Sequence, residues 1–140
     1  MQRPLRILIV EDDPAQSAAI EARLHERVLS ALQIRIEIVV ARTLAAALGM
    51  AAAANVTILD LGLPDSAPAD TAAAIPRFRP PVIVLTGHED TALVALCYHN
   101  LARHVFVKGI TSGLCQQVID CLISDLRRQL DPADAAADPS

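Results

Sequence analysis

Four short apolar runs in this chain each end on polar residues: Ile7 to Val10 on Glu11 and Asp12, Val56 to Leu59 on Asp60, Val82 to Leu85 on Thr86, and Val105 to Val107 on Lys108. Runs of β-branched and aliphatic residues with little polar alternation are the pattern of parallel strands covered on both faces. In sheets of that kind, ligands bind beyond the carboxyl ends of the strands. Four such strands would bring three carboxylates, a hydroxyl and an ammonium to one edge. That set suits a divalent metal and a phosphoryl group.

Length and composition fit one compact unit. With 140 residues, 53% of them hydrophobic, the chain has enough apolar material for a single core and no room for a second. A formal charge of -4 with no basic run gives no electrostatic footprint for direct binding of nucleic acid. Cys97, Cys115 and Cys121 are odd in number and lack C-x-x-C spacing, which argues against a disulfide framework or a zinc site. Mean hydropathy is positive at +0.38, yet the longest uncharged stretch, Thr43 to Leu59, is Ala-rich and too short to span a bilayer. Arg3 and Arg6 lead into an apolar run too brief for a signal peptide. A cytoplasmic protein with no membrane association is expected.

Strands and helices alternate five times. The first strand spans about Arg6 to Val10; Asp13 then caps a helix with Pro14 at its first position, running to about Val28. Ile34 to Val40 alternates at first, as an edge strand would, and Thr43 caps an Ala-rich helix to about Ala53. Pro68 and Pro76 leave only Ala69 to Ile75 between them, and a helix-interior proline costs about 3 kcal/mol, so the third helix is expected to be short or irregular. Pro80-Pro81 opens the fourth strand, His88-Glu89-Asp90 opens a fourth helix to about Asn100, and Val105 to Val107 forms the fifth strand. A final helix covers about Ser112 to Leu130, with Leu114, Val118, Leu122, Leu126 and Leu130 along one stripe. Residues 1–130 read as the domain, and 131–140 as a disordered tail or linker remnant.

Taken singly, each polar residue has an ordinary role: adjacent acids after a strand cap helices, a strand-end lysine snorkels, and a threonine satisfies local backbone. Together they have a common chemistry. Mg2+ takes oxygen ligands and keeps several waters, so Glu11, Asp12 and Asp60 suffice for a site. A carboxylate attacks phosphorus only if the repulsion between anions is neutralised, for which Lys108 and a metal are suited.

The stretches Ile7-Leu8-Ile9-Val10-Glu11-Asp12-Asp13-Pro14, Leu59-Asp60-Leu61-Gly62-Leu63-Pro64-Asp65-Ser66, Val84-Leu85-Thr86-Gly87 and Val107-Lys108-Gly109 resemble the receiver domain of two-component response regulators, over roughly residues 5–127. The likeness extends to the single-domain chemotaxis-type regulators. It implies an α/β, doubly wound, flavodoxin-like fold, a five-stranded parallel sheet of order 2-1-3-4-5 with helices on both faces. It implies phosphoryl transfer to Asp60 from a histidine kinase or histidine phosphotransfer protein. Glu11 and Asp12 become Mg2+ carboxylates, with Mn2+ as an alternative ion, and the Gly62 carbonyl a further ligand beside Asp60. Thr86 becomes the switch hydroxyl and Lys108 the phosphoryl contact. The implied protein is a signalling switch, not an enzyme with a separate substrate. Its output is a face formed by the fourth helix, fifth strand and fifth helix, acting through a downstream protein, a homodimer or an effector domain outside this chain.

Departures from the family pattern concern the switch. The family's aromatic three residues before the lysine is here Val105, while Phe106 faces the other way by strand alternation. Gly109 stands where the family often has proline, and a cis bond there would cost about 2.5–4 kcal/mol. The glycine and alanine usual before the fifth strand are Leu101 and Ala102. Gly62 and His88, two residues beyond acceptor and threonine, stand where the family modulates acyl-phosphate lifetime by controlling water access. One alternative is an interaction module independent of phosphorylation, with a degraded switch. Another is a haloacid-dehalogenase-like phosphohydrolase, which needs a second aspartate where Gly62 lies.

Overall fold

The computed structural model describes residues 4–87, 90–108 and 114–130, the side chains of 114, 115, 129 and 130 excepted. Five strands, β1 (Leu5–Val10), β2 (Ile36–Ala41), β3 (Val56–Asp60), β4 (Val82–Thr86) and β5 (His104–Val107), form one parallel sheet in the order β2-β1-β3-β4-β5. The helices between them are α1 (Pro14–Leu32), α2 (Leu44–Met50), α3 (Pro68–Ala73), α4 (Thr91–His99) and α5 (Leu114–Leu130). The expected doubly wound architecture is therefore present.

Alternation along the strands divides the core in two. Ile7, Ile9, Ile58, Ile83 and Leu85 face α1 and α5, where they meet Leu24, Val28, Ile119, Leu122 and Leu126. Leu8, Val10, Leu59 and Val84 face the other way, with Ala47, Ala72, Ile75, Leu93 and Cys97. β3 and β4 are buried at every position because both faces are covered, which explains their unbroken apolar runs. β2 is half-buried at most positions, as expected of an edge strand. Among the described residues no helix is long and apolar enough to cross a membrane.

Local chemistry sets the helix starts. Asp13 caps α1 by accepting from the Ala15 N–H at 2.9 Å, with Pro14 in the first turn. Thr43 accepts from the Ala46 N–H, and Asp90 from the N–H groups of Ala92 and Leu93. α1 runs four residues past the expected Val28, to Leu32, because no helix breaker lies between Leu29 and Leu32, and Gln33 ends it in the left-handed region at φ 53°. α2 is shorter than expected and passes into a 3-10 turn at Ala51–Ala53. α3 is short, as expected, but Pro68 begins it instead of preceding it, since a first-turn proline loses no hydrogen bond. Pro76 lies in a separate 3-10 turn, Ile75–Arg77. The fourth helix begins after Asp90, and β5 starts one residue early, at His104. His88, Gly109 and the 131–140 tail lie outside the described residues.

Candidate phosphoryl and metal site

The carboxyl ends of β1, β3, β4 and β5 lie side by side, so chain direction alone brings Glu11, Asp60, Thr86 and Lys108 to one edge. The Glu11 N–H is fixed by the Ala41 carbonyl at 3.0 Å, and the Lys108 N–H by the Thr86 carbonyl at 2.7 Å. Glu11, Asp60 and Thr86 are buried, while Asp12 is exposed.

Lys108 joins the acids. Its Nζ donates to Asp60 Oδ2 at 2.9 Å and to Glu11 Oε1 at 3.0 Å. Asp60 Oδ1 accepts from the Gly62 N–H at 2.9 Å, and Glu11 Oε2 from the Asp13 N–H at 3.4 Å. Glu11, Asp12 and Asp60 each offer an oxygen within 4.8 Å of the others. An all-oxygen set of carboxylates fits a hard cation such as Mg2+ or Mn2+ better than a thiophilic one.

Burial, reinforced by a hydrogen bond to Asp60 and by its charge, pushes the Glu11 carboxyl up to about 7 against the pull of Lys108. Burial acts the same way on Asp60, but is outweighed by hydrogen bonds from Glu11, the Gly62 N–H and Lys108, which hold Asp60 below the ordinary carboxylate range. Burial alone would lower Lys108; its bonds to Asp60 and Glu11 raise it instead. The site thus holds a charged lysine, an ionised Asp60 and a Glu11 poised to release a proton near neutrality.

The structure brings together Glu11, Asp12, Asp60 and Lys108, with Thr86 beside them at the end of β4 and Gly62 two residues beyond Asp60. Val105 packs toward the α4 side and Phe106 toward α5, so the opposed orientation expected from alternation is present. The four motifs leave out Arg42, whose guanidinium donates to the Glu11 carbonyl at 3.0 Å. It directly follows the apolar run of β2 and satisfies the same rule that singled out the other four strand ends.

No family model and no curated protein matches the sequence. Solved structures do. The non-phosphorylated HemR receiver domain from Leptospira biflexa shares 25% identity at a TM-score of 0.68, covering 87% of this chain and 95% of that one. The chain has the receiver-domain fold. The Mn(2+)-bound form of response regulator Rcp1 is 24% identical, with a TM-score of 0.66 and coverage of 86% and 93%. The receiver of the sensor histidine kinase PA1611 from Pseudomonas aeruginosa, solved with magnesium in its active-site cleft, is 20% identical, with a TM-score of 0.63 and coverage of 87% and 99%. In this receiver fold, the acidic cluster stands at the carboxyl edge of the strands.

Proposed function

We propose that this chain is a phospho-accepting signalling switch. Asp60 takes a phosphoryl group from a histidine kinase or histidine phosphotransfer protein, with Mg2+ or Mn2+ held by Glu11, Asp12, Asp60 and the Gly62 carbonyl. The contact that carries the reading is Lys108 Nζ shared between Asp60 and Glu11 at 2.9 and 3.0 Å. A half-buried lysine on two buried acids has a simple use where a further anion must enter. The receiver fold, the three-carboxylate cluster, and metal-bound neighbours such as Rcp1 and PA1611 support the same assignment.

Transfer requires an Asp60 oxygen to bond to phosphorus as the bond from phosphorus to the donor's leaving group breaks. The electron pair departs with that group. Asp60 is ionised and therefore nucleophilic because Lys108 and the Gly62 N–H stabilise its charge. Lys108 already lies at hydrogen-bonding distance from the acceptor, so its ammonium meets the charge that develops on the phosphoryl oxygens. A divalent ion held by Glu11, Asp12 and Asp60 would supply further charge neutralisation for the anionic group. Thr86, buried at the end of β4, is the hydroxyl assigned to a phosphoryl oxygen. His88 is assigned to water access.

Residues 1–130 form the receiver unit in this reading, in the cytoplasm. Phosphorylation biases two states that differ at the face of α4, β5 and α5, and a downstream protein, a second copy or an effector domain reads the difference. The test is incubation with acetyl phosphate, with and without Mg2+, followed by intact mass. Modification of the wild type that requires Mg2+ and is lost in Asp60→Asn is the expected result. An unmodified wild type that also fails to bind beryllofluoride would overturn the proposal and leave the phosphorylation-independent module as the better account.

A further inference from the structure

We infer that the loop after β2 is a splint that sets the spacing of the two acidic loops, with Arg42 as a positioning residue for metal binding. This rests on the proposed metal site and adds to it a residue outside the four motifs. Arg42 Nη1 donates at once to the Glu11 carbonyl at 3.0 Å and to Ser17 Oγ at 2.8 Å. Ser17 is only 2% exposed, and its hydroxyl donates onward to the Pro14 carbonyl at 3.1 Å. One guanidinium nitrogen therefore ties the residue that leads into Asp12 to the first turn of α1.

Two and three residues on, the first amides of α2 grip the other side of the site. The N–H groups of Leu44 and Ala45 donate to Asp65 Oδ1 and Oδ2 at 2.8 and 3.0 Å. Those bonds hold the Asp65 carboxyl below its ordinary range, so it stays ionised as an acceptor. Asp65 belongs to the loop that starts at Asp60 and carries Gly62. Residues 42–45 thus bond to both loops that contribute oxygens: Arg42 to the Glu11–Asp12 loop, the α2 amides to the Asp60–Gly62 loop.

The consequence is specific. Three carboxylates repel one another, and an octahedral ion tolerates little error in their placement. A splint that fixes both loops before the ion arrives lowers the cost of ordering them. Groups that orient metal ligands without touching the ion typically contribute about 10–100-fold to affinity. The positive charge of Arg42 works in the opposite direction, since it repels a cation. The two effects predict opposite results on removal, which makes the inference decidable.

Mg2+ titration calorimetry on the full chain, with circular dichroism and thermal melts run without metal, tests it. Arg42→Ala should weaken Mg2+ binding about tenfold, at the low end of the range for such orienting groups. Ser17→Ala, which leaves the arginine charge in place, should weaken it in the same direction by less. The double variant should lose less than the sum, because both act through one contact. Arg42→Lys should recover part of the affinity. If Arg42→Ala binds Mg2+ as well as the wild type or more tightly, with only the melt lowered, the residue is structural or merely repulsive and the inference falls. Should Arg42→Ala fail to fold, Ser17→Ala decides by the same criterion. A wild type that does not bind Mg2+ at all would overturn the metal assignment and this inference with it, whereas binding that ignores Arg42 and Ser17 overturns the splint alone.

Discussion

The hydroxyl of Tyr98 on α4 accepts the backbone N–H of Val105 on β5 at 3.2 Å. β5 is an edge strand, so this N–H has no neighbouring strand to bond, and Tyr98 supplies the acceptor. Val105 lacks the aromatic ring that the family places there, and the ring beside β5 comes instead from the helix. Because the chain has one tyrosine and no tryptophan, its emission reports this contact alone. Addition of beryllofluoride with Mg2+ should change tyrosine emission in the wild type and leave Asp60→Asn unchanged. Identical spectra before and after addition to a wild type shown to bind the analogue would exclude Tyr98 from the output face.

Lys108→Met removes the one side-chain donor among the described residues that bridges Asp60 and Glu11. Two buried acids then face each other without a cation, and the proton shared near them is retained to higher pH. Labelling of Asp60 by acetyl phosphate should fall at least about 10²-fold, the usual scale for removing one charge-stabilising donor from a reacting centre. Labelling at the wild-type rate would show that Lys108 is structural.

Thr57 is the second residue of β3, fully buried, and its Oγ1 has no hydrogen-bond partner among the described residues. A buried hydroxyl left unpaired costs about 1–3 kcal/mol. Thr57→Val keeps the shape and replaces that hydroxyl with a methyl group. The variant should be about 1 kcal/mol more stable by denaturant titration, a modest share of that penalty. A loss of stability instead would mean that the hydroxyl is satisfied by an ordered water.

The fold was legible because each strand announces itself by an apolar run and each run by the polar residue that stops it. Strand order and the positions of Glu11, Asp60, Thr86 and Lys108 follow from one rule about parallel sheets and needed no contact information. Helix ends were less legible. Val28 is the last deeply buried residue of α1, yet the helix continues to Leu32 since nothing in Leu29 to Leu32 breaks it. Arg42 stands at a strand end like the other four, but that position does not reveal what it does. Its role depends on a backbone carbonyl and a serine from another part of the chain, and neither leaves a motif. Tyr98 is similar, reaching a peptide N–H that only the edge position of β5 leaves available.

The raised Glu11 pKa gives the site a pH dependence whose sign follows from linkage. A carboxyl whose folded-state pKa stands at about 7, above its ordinary 4.5, binds its proton more tightly in the folded chain. Its contribution to stability is complete below pH 4.5 and is lost as pH rises through about 7. Asp60, depressed below its ordinary 3.8, acts oppositely, its contribution being present above that value and lost as pH falls. Without metal, the Glu11 contribution therefore declines across neutrality while that of Asp60 is constant. A bound divalent ion requires the proton to leave Glu11, so metal and proton compete. The rise in melting temperature caused by Mg2+ should be larger at pH 8 than at pH 6 in the wild type. In Glu11→Gln the difference between the two pH values should shrink, because the titrating carboxyl is gone. A metal-induced shift equal at both pH values in the wild type would place the ion away from Glu11.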